Sequence, residues 1–369
     1  MKKIIKALCI VSFFSFATVG NVQAQLGDAG EILRAGADDA NIYLSEFLSP
    51  FSNGFGASLN TGWFTTANSH STLGFELNLN VGVAMVPSTA LEIDVSSLGM
   101  SNLEVTSGSN TTPTISGEDN SNTKLGQMWT NPQTNQQEPL FEFDAPSGIA
   151  FEYVPAPMAQ LTVGVIKDTD VSLRFVPTTA LGDFGELGLF GFGVKHGINQ
   201  WIPGGKVLPV DLSVQFGYTS FNMSTDFEVD PETGNDIYNP YNASQWDGQG
   251  LEMETSAYTI NAIVGKKLPI IAVYGGIGIE GTTTTLGSPG AYPLTVPNSN
   301  YDPTSSDPAE NRQKVIESLS APIDLEMEGE NNFRAFAGFR VKLAVIQLFA
   351  NYTLSTYPTA NAGFGFTFR

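Results

Sequence analysis

From Gly54 onward the chain alternates apolar and polar side chains with a period of two. In 73–86, Leu73, Phe75, Leu77, Leu79, Val81, Val83 and Met85 share one face, and Glu76, Asn78 and Asn80 share the other. In 209–219, Val210, Leu212, Val214, Phe216 and Tyr218 oppose Asp211, Ser213, Gln215 and Gly217. The segment 360–369 sets Phe364, Phe366 and Phe368 against Gly363, Gly365 and Thr367, and 323–342 alternates over about twenty residues, with an acidic first half. Further segments of this kind fall at 54–65, 91–97, 158–166, 171–176, 186–197, 251–264, 270–281 and 345–355. In 251–264 the apolar parity switches between Met253 and Tyr258, which predicts a bulge or a strand end.

A strand that is apolar on one face and polar on the other suits a wall between lipid and a wet lumen, and about 9–11 residues suffice to cross a bilayer. Short links at 87–90, 167–170, 198–208, 266–269 and 342–345 alternate with long polar ones at 99–157, 223–250 and 282–322. That order is the one found in outer-membrane barrels, with short turns in the periplasm and long loops outside. The expected fold class is therefore all-β: a transmembrane antiparallel β-barrel over 54–369, of 12 strands, or 14 if 99–157 hides a hairpin around Phe141 to Tyr153.

Ahead of the barrel the period is helical. Asp28 and Glu31 form a capping box, and Ile32, Leu33, Tyr43, Leu44, Phe47 and Leu48 recur at helical spacing until Pro50. An amphipathic helix over 28–48, within an N-terminal segment 25–53, is expected either to pack on the barrel as a periplasmic cap or to enter its lumen as a plug. Lys2, Lys3 and Lys6, the apolar run that follows and Val22-Gln23-Ala24 have the form of a secretory leader over 1–24.

Composition sharpens this picture. Mean hydropathy is near zero at −0.02, with 38 Gly and 25 Phe. The one cysteine, Cys9, lies in the leader. The 37 acidic residues against 17 basic ones, a net charge of −20, argue against nucleic acid as a partner. The implied location is the cell outer membrane, with its lipid as first partner.

Candidate chemistry is sparse. Alternation turns Glu76, Glu92, Asp94, Arg174, Asp211, Arg334 and Arg340 toward the lumen, either as bracing ion pairs or as a charged constriction that selects solutes. Asp226, Glu228 and Asp230, with Glu232 and Asp236 nearby, form an acidic loop that could offer oxygens to calcium. However, Pro231 stands where an EF-hand requires Gly. Gly276-Ile-Gly-Ile-Glu-Gly281 has the spacing of a dinucleotide-binding turn but runs on into strand-like Thr282–Thr285 instead of a helix. His70 and His196, expected at opposite rims and with no acid adjacent in sequence to His70, suggest neither a metal pair nor a catalytic site. No cofactor and no enzymatic activity are expected.

The stretch Phe190-Gly-Phe-Gly-Val-Lys-His-Gly-Ile-Asn-Gln-Trp-Ile-Pro-Gly-Gly-Lys206, with Leu208-Pro-Val-Asp-Leu-Ser213 and Asp168–Pro177, resembles an uncharacterised family of Bacteroidota-type outer-membrane barrels. More distantly, a helix ahead of a barrel is similar to FadL-type transporters of hydrophobic compounds, whose N-terminal segment forms a hatch in a fourteen-stranded lumen. Two departures are the smaller strand count and Arg369 after the terminal Phe368. The leading expectation is passive transport of small, including hydrophobic, solutes, gated by the helix. The alternative is a non-conducting barrel that is structural or part of an envelope complex, with its acidic loops as the contact surface.

Overall fold

The computed structural model describes residues 32–130, 136–180, 185–226 and 228–368. The leader, the capping box at Asp28 and the terminal Arg369 lie outside the described residues.

Ten strands close into one antiparallel barrel: β1 (Phe75–Met85), β2 (Tyr153–Gly164), β3 (Thr169–Ala180), β4 (Glu186–Gly197), β5 (Asp211–Asp226), β6 (Gly250–Lys267), β7 (Ile271–Gly287), β8 (Phe333–Leu343), β9 (Ile346–Leu354) and β10 (Thr359–Phe368). Each pairs with its neighbour in sequence, and β10 closes on β1 from Phe75↔Phe368 to Ala84↔Thr359. Closure removes the sheet edges that would otherwise leave backbone groups unpaired. The parity read from sequence holds around the wall. Phe75, Leu173, Phe192, Val264, Phe339 and Phe364 are exposed outward, whereas Asn78, Gln160, Gln215, Asn261, Gln347 and Asn361 are buried inward.

The strand count corrects the expected 12 or 14, and two segments account for the difference. Residues 54–65 alternate in sequence but form the end of the N-terminal helix and the chain that follows it. Residues 91–97 supply Glu92–Asp94, which pairs with Thr111–Pro113 outside the wall. The long link does hold strands, Glu104–Ser107, Lys124–Thr130 and Gln137–Asp144, but not the hairpin expected around Phe141 to Tyr153: Phe141 pairs back onto Gln127, Tyr153 opens β2, and the three strands make a separate sheet beyond the long-loop end.

That sheet, the pairing of Ala291–Pro297, Lys314–Ser320 and Ile237–Tyr238, and the short strand Asp324–Glu328 build a cap at the long-loop end. The helix α1 (Ala37–Leu59) runs into this cap and does not stop at Pro50. Pro50 leaves the Glu46 carbonyl without its helical N–H donor, and the next carbonyl, of Phe47, accepts from the Ile115 N–H of the cap at 3.0 Å. Tyr43, Leu44 and Phe47 pack with Ile93, Val95, Leu103, Leu125, Phe143, Leu325 and Met327 in one core.

The same core explains two sequence readings that fail. No bulge interrupts β6, whose pairing with β5 and β7 is continuous. Leu251 and Met253 are on the inward face, like Thr255 and Ala257; Leu251 packs against the cap core and Met253 against Leu59, Leu187, Leu189 and Phe221 at the top of the barrel, while Glu252 and Glu254 are exposed. Toward the long-loop end the apolar side chains lie on the inside, so the chemistry inverts while the parity stays.

The alternation in 323–342 instead breaks at a real irregularity. Asp324–Glu328 pairs with Thr283–Gly287, and β8 pairs with β7 from Ile279 down. The chain between them, 329–332, lies opposite 280–282, one residue shorter. This bulge lets Leu325 and Met327 face the cap core while Phe333 and Phe339 face outward.

Candidate functional site: a filled lumen

After α1 the chain runs down the inside of the barrel from the long-loop end to the short-turn end. At the top, Ser58 Oγ donates to the Val154 carbonyl at 2.7 Å, near the long-loop end of β2. At the bottom, Ser69 Oγ donates to the Asp168 carbonyl at 2.9 Å, in the turn between β2 and β3. Residues 60–67 between them are all buried. The helix, expected as a periplasmic cap or a plug directly ahead of a strand at 54–65, stands instead at the long-loop end, and the chain after it traverses the lumen.

Inward cations of the wall hold this thread by its backbone carbonyls. Arg174, with no exposed surface, donates through Nη1 to the Leu59 carbonyl at 2.7 Å, through Nη2 to the Thr61 carbonyl and through Nε to Gln160 at 2.9 Å. Gln160 in turn donates to the Trp63 carbonyl at 3.1 Å. Arg334 donates to the Asn60 carbonyl at 3.0 Å and pairs with Glu280 at 2.9 Å. Lys195 donates to the carbonyls of Thr66 and Asn68, both at 3.0 Å. A buried guanidinium left unpaired would be costly, so these contacts fix the thread as much as they satisfy the wall.

The Trp63 indole has a seat built by absence of side chains. A Cβ on Gly193 would lie 2.7 Å from the ring, and one on Gly217 closer still. Phe64 fills the opposite side, with ring centroids 5.6 Å from Tyr274 and 5.2 Å from Phe336.

Below the aromatic layer lies a charged cluster. His70 Nδ1 is 3.2 Å from Asp170, and its Nε2 is 3.2 Å from Glu76. Lys195 pairs with Asp170 at 3.1 Å, and Arg340 approaches Glu76 at 3.9 Å. Since carboxylates engage both ring nitrogens, the geometry suits an imidazolium. Neither nitrogen is left to take a proton from Ser69 or Ser71. His196 also sits at the short-turn end, accepting from Trp201 Nε1 at 2.7 Å, so the two histidines share one rim instead of occupying opposite ones.

Of the lumen-facing charges expected from sequence, the fold gathers Glu76, Arg174, Arg334 and Arg340 inside the barrel. Asp211 is partly exposed at the short-turn rim, on the inward parity of Ser213. Glu92 and Asp94 are corrected: both are exposed on the cap, because their apolar partners Ile93 and Val95 face its core and not lipid. Asp226, the last residue of β5, and Glu228 and Asp230 in the loop after it are exposed, and no group of three metal-ligating side chains exists among the described residues. Gly276 and Gly278 lie within β7, where a strand and not a helix continues through Glu280. Sequence reading set His70 aside and missed Trp63, Asp170, Lys195 and Glu280. Of these, Asp170, Lys195 and Glu280 lie on the inward parity of their strands, the signal that could have found them.

A family model matches residues 1–368. The chain belongs to the Family of unknown function (DUF6588). No curated protein matches it. Among solved structures it is similar to the translocator domain of the autotransporter NalP from Neisseria meningitidis, at 10% identity over 81% of this chain and 89% of that one, with a TM-score of 0.28. It is also similar to Ail of Yersinia pestis in complex with sucrose octasulfate, at 8% identity over 80% and 99% with a TM-score of 0.22. A third is the toluene transporter TodX of Pseudomonas putida, at 8% over 86% and 97% with a TM-score of 0.24. Superpositions this loose say nothing of what the barrel carries.

Proposed function

We propose that this DUF6588 protein is an outer-membrane barrel that its own N-terminal chain keeps closed, and that it holds a folded acidic cap on the outer face. The observation that carries the reading is the thread at 60–67, buried throughout and held by Arg174, Arg334 and Lys195. Outward apolar side chains, inward polar ones and short turns at one end support the outer-membrane placement.

The function is then structural: a membrane mount for the cap, with an envelope protein as the partner class and no catalysis. Exposed Glu92, Asp94, Glu104, Asp226, Glu252 and Asp324 outnumber Lys124, Arg312 and Lys314 on the cap, so the complementary surface is basic and nucleic acid is disfavoured. Passive transport of small hydrophobic solutes, the FadL-like reading, requires the thread to leave the lumen. Moving α1 alone would not open it.

Conductance in planar bilayers tests the proposal. The intact protein should not conduct, whereas a chain lacking residues 37–72 should, provided gel mobility shows a folded barrel. Steady conductance of the intact protein would replace this reading with that of a pore.

A further inference from the structure

The short-turn mouth contains a cavity of about 320 Å³ lined by Thr66, Asn68, His70, Lys267, Arg340 and Lys342, among others. We infer that this cavity binds a phosphate monoester group, either of a small phosphorylated solute or of a lipid headgroup.

Strand register creates the site. Ala272 of β7 is directly opposite Lys267 of β6 on one side and Arg340 of β8 on the other. Lys342, two residues beyond Arg340, shares its parity. Three cations thus border one small side chain that is itself buried. Lys267 and Arg340 flank the Ala272 strand and Lys342 follows Arg340 on its own strand, so three cations facing one recess give it a positive potential unless something neutralises them.

The protein supplies little neutralisation. Arg340 has Glu76 at 3.9 Å, but Glu76 is already 3.2 Å from His70, and Asp170 serves His70 and Lys195. Among the described residues neither Lys267 nor Lys342 is within ion-pair distance of a carboxylate. Among the described residues Asp168 is the only acid lining the cavity. In a chain of net charge −20, an excess of cations in one recess is a local feature and not a consequence of composition.

The chemistry fits a doubly charged oxyanion better than a carboxylate. A phosphate monoester carries about −1.5 to −2 near neutral pH and three acceptor oxygens. Arg340 offers a fork of N–H donors, the lysines offer point charges, and Thr66, Asn68, Ser71 and Thr367 add neutral donors. The volume lies at the lower end of small-molecule sites. Because thread and wall both line the cavity, an occupant would bridge them.

Calorimetric titration of the purified protein with inorganic phosphate, in an uncharged, phosphate-free detergent at fixed ionic strength, provides the test. Saturable binding is expected, weakened by about tenfold or more in the double variant Lys267→Gln/Lys342→Gln. Lys167→Gln, on the same rim but not lining the cavity, serves as the control and should bind as the parent does. Nanodiscs containing phosphatidic acid, compared with phosphatidylcholine alone, distinguish a lipid source: lysine-dependent binding there with none in solution assigns the site to a headgroup. Phosphate affinity equal in parent and double variant, or no saturable binding in either format, would overturn the inference.

Discussion

The Arg174 guanidinium lies over the Trp63 indole, 3.6 Å from the ring centroid, at the middle of the barrel. One residue comes from the wall and the other from the chain that fills it. The stack combines a cation–π contact with hydrogen bonds from the same guanidinium to the carbonyls of Leu59 and Thr61. Trp63→Ala should therefore do more than leave a cavity. It should cost about 3–5 kcal/mol and loosen the thread, seen as a lower temperature for the heat-modified gel shift. Gly217→Val should act in the same direction by occupying the indole's seat. Parental thermal behaviour in both variants would show that the thread is not anchored here.

How far the sequence discloses this arrangement depends on distance along the chain. The wall is legible because its two faces meet two solvents, so each strand such as Phe75–Met85 displays its own parity. Residues 54–59 mislead because glycines and apolar residues alternate there for another reason. Gly54 and Gly56 let the helix end approach the wall, where a Cβ on Gly54 would lie 2.7 Å from Val154. The histidine cluster is illegible locally: Asp170 is a hundred residues from His70, and Lys195 still farther. Only barrel closure, with the thread inside it, brings them together.

The direction of the thread predicts surface topology. Glu46 is exposed on α1 within the cap, and Lys167 is exposed in a short turn. In intact cells, a membrane-impermeant maleimide should label Glu46→Cys, whereas Lys167→Cys should react only after the outer membrane is permeabilised. The reverse pattern would invert the proposed orientation.

The inversion of chemistry between belt and cap gives a paired test. Leu325 is 4% exposed in the cap core, whereas Phe339 is 48% exposed on the outer wall. Leu325→Asp buries an unpaired carboxylate and should make the cap protease-sensitive while the barrel keeps its heat-resistant mobility. Phe339→Asp puts the charge toward lipid and should impair barrel assembly instead. If both variants failed in the same step, cap and barrel would not be separable folding units.

Asp39 supplies the pH dependence of the cap. Burial favours its neutral form, but its carboxylate accepts backbone N–H bonds from Ser101 at 2.9 Å, from Leu103 at 2.8 Å and from Asn102, and together these hold its pKa below the ordinary value of 3.8. A carboxyl with a depressed folded-state pKa contributes stability that is fully present above its unfolded pKa, about 3.9, and is lost as pH falls through the lower folded value. The cap should thus be insensitive to pH between about 5 and 7 in this respect. Below the ordinary carboxylate range it should loosen, with pepsin cleavage between α1 and the 101–103 loop rising as pH drops. Asp39→Asn removes the charge and leaves the three N–H donors with a weaker acceptor, at a cost of roughly 1–3 kcal/mol. It should raise cleavage and remove this contribution to the acid dependence, whereas an acid response unchanged in the variant would assign the loosening to other carboxylates of the cap.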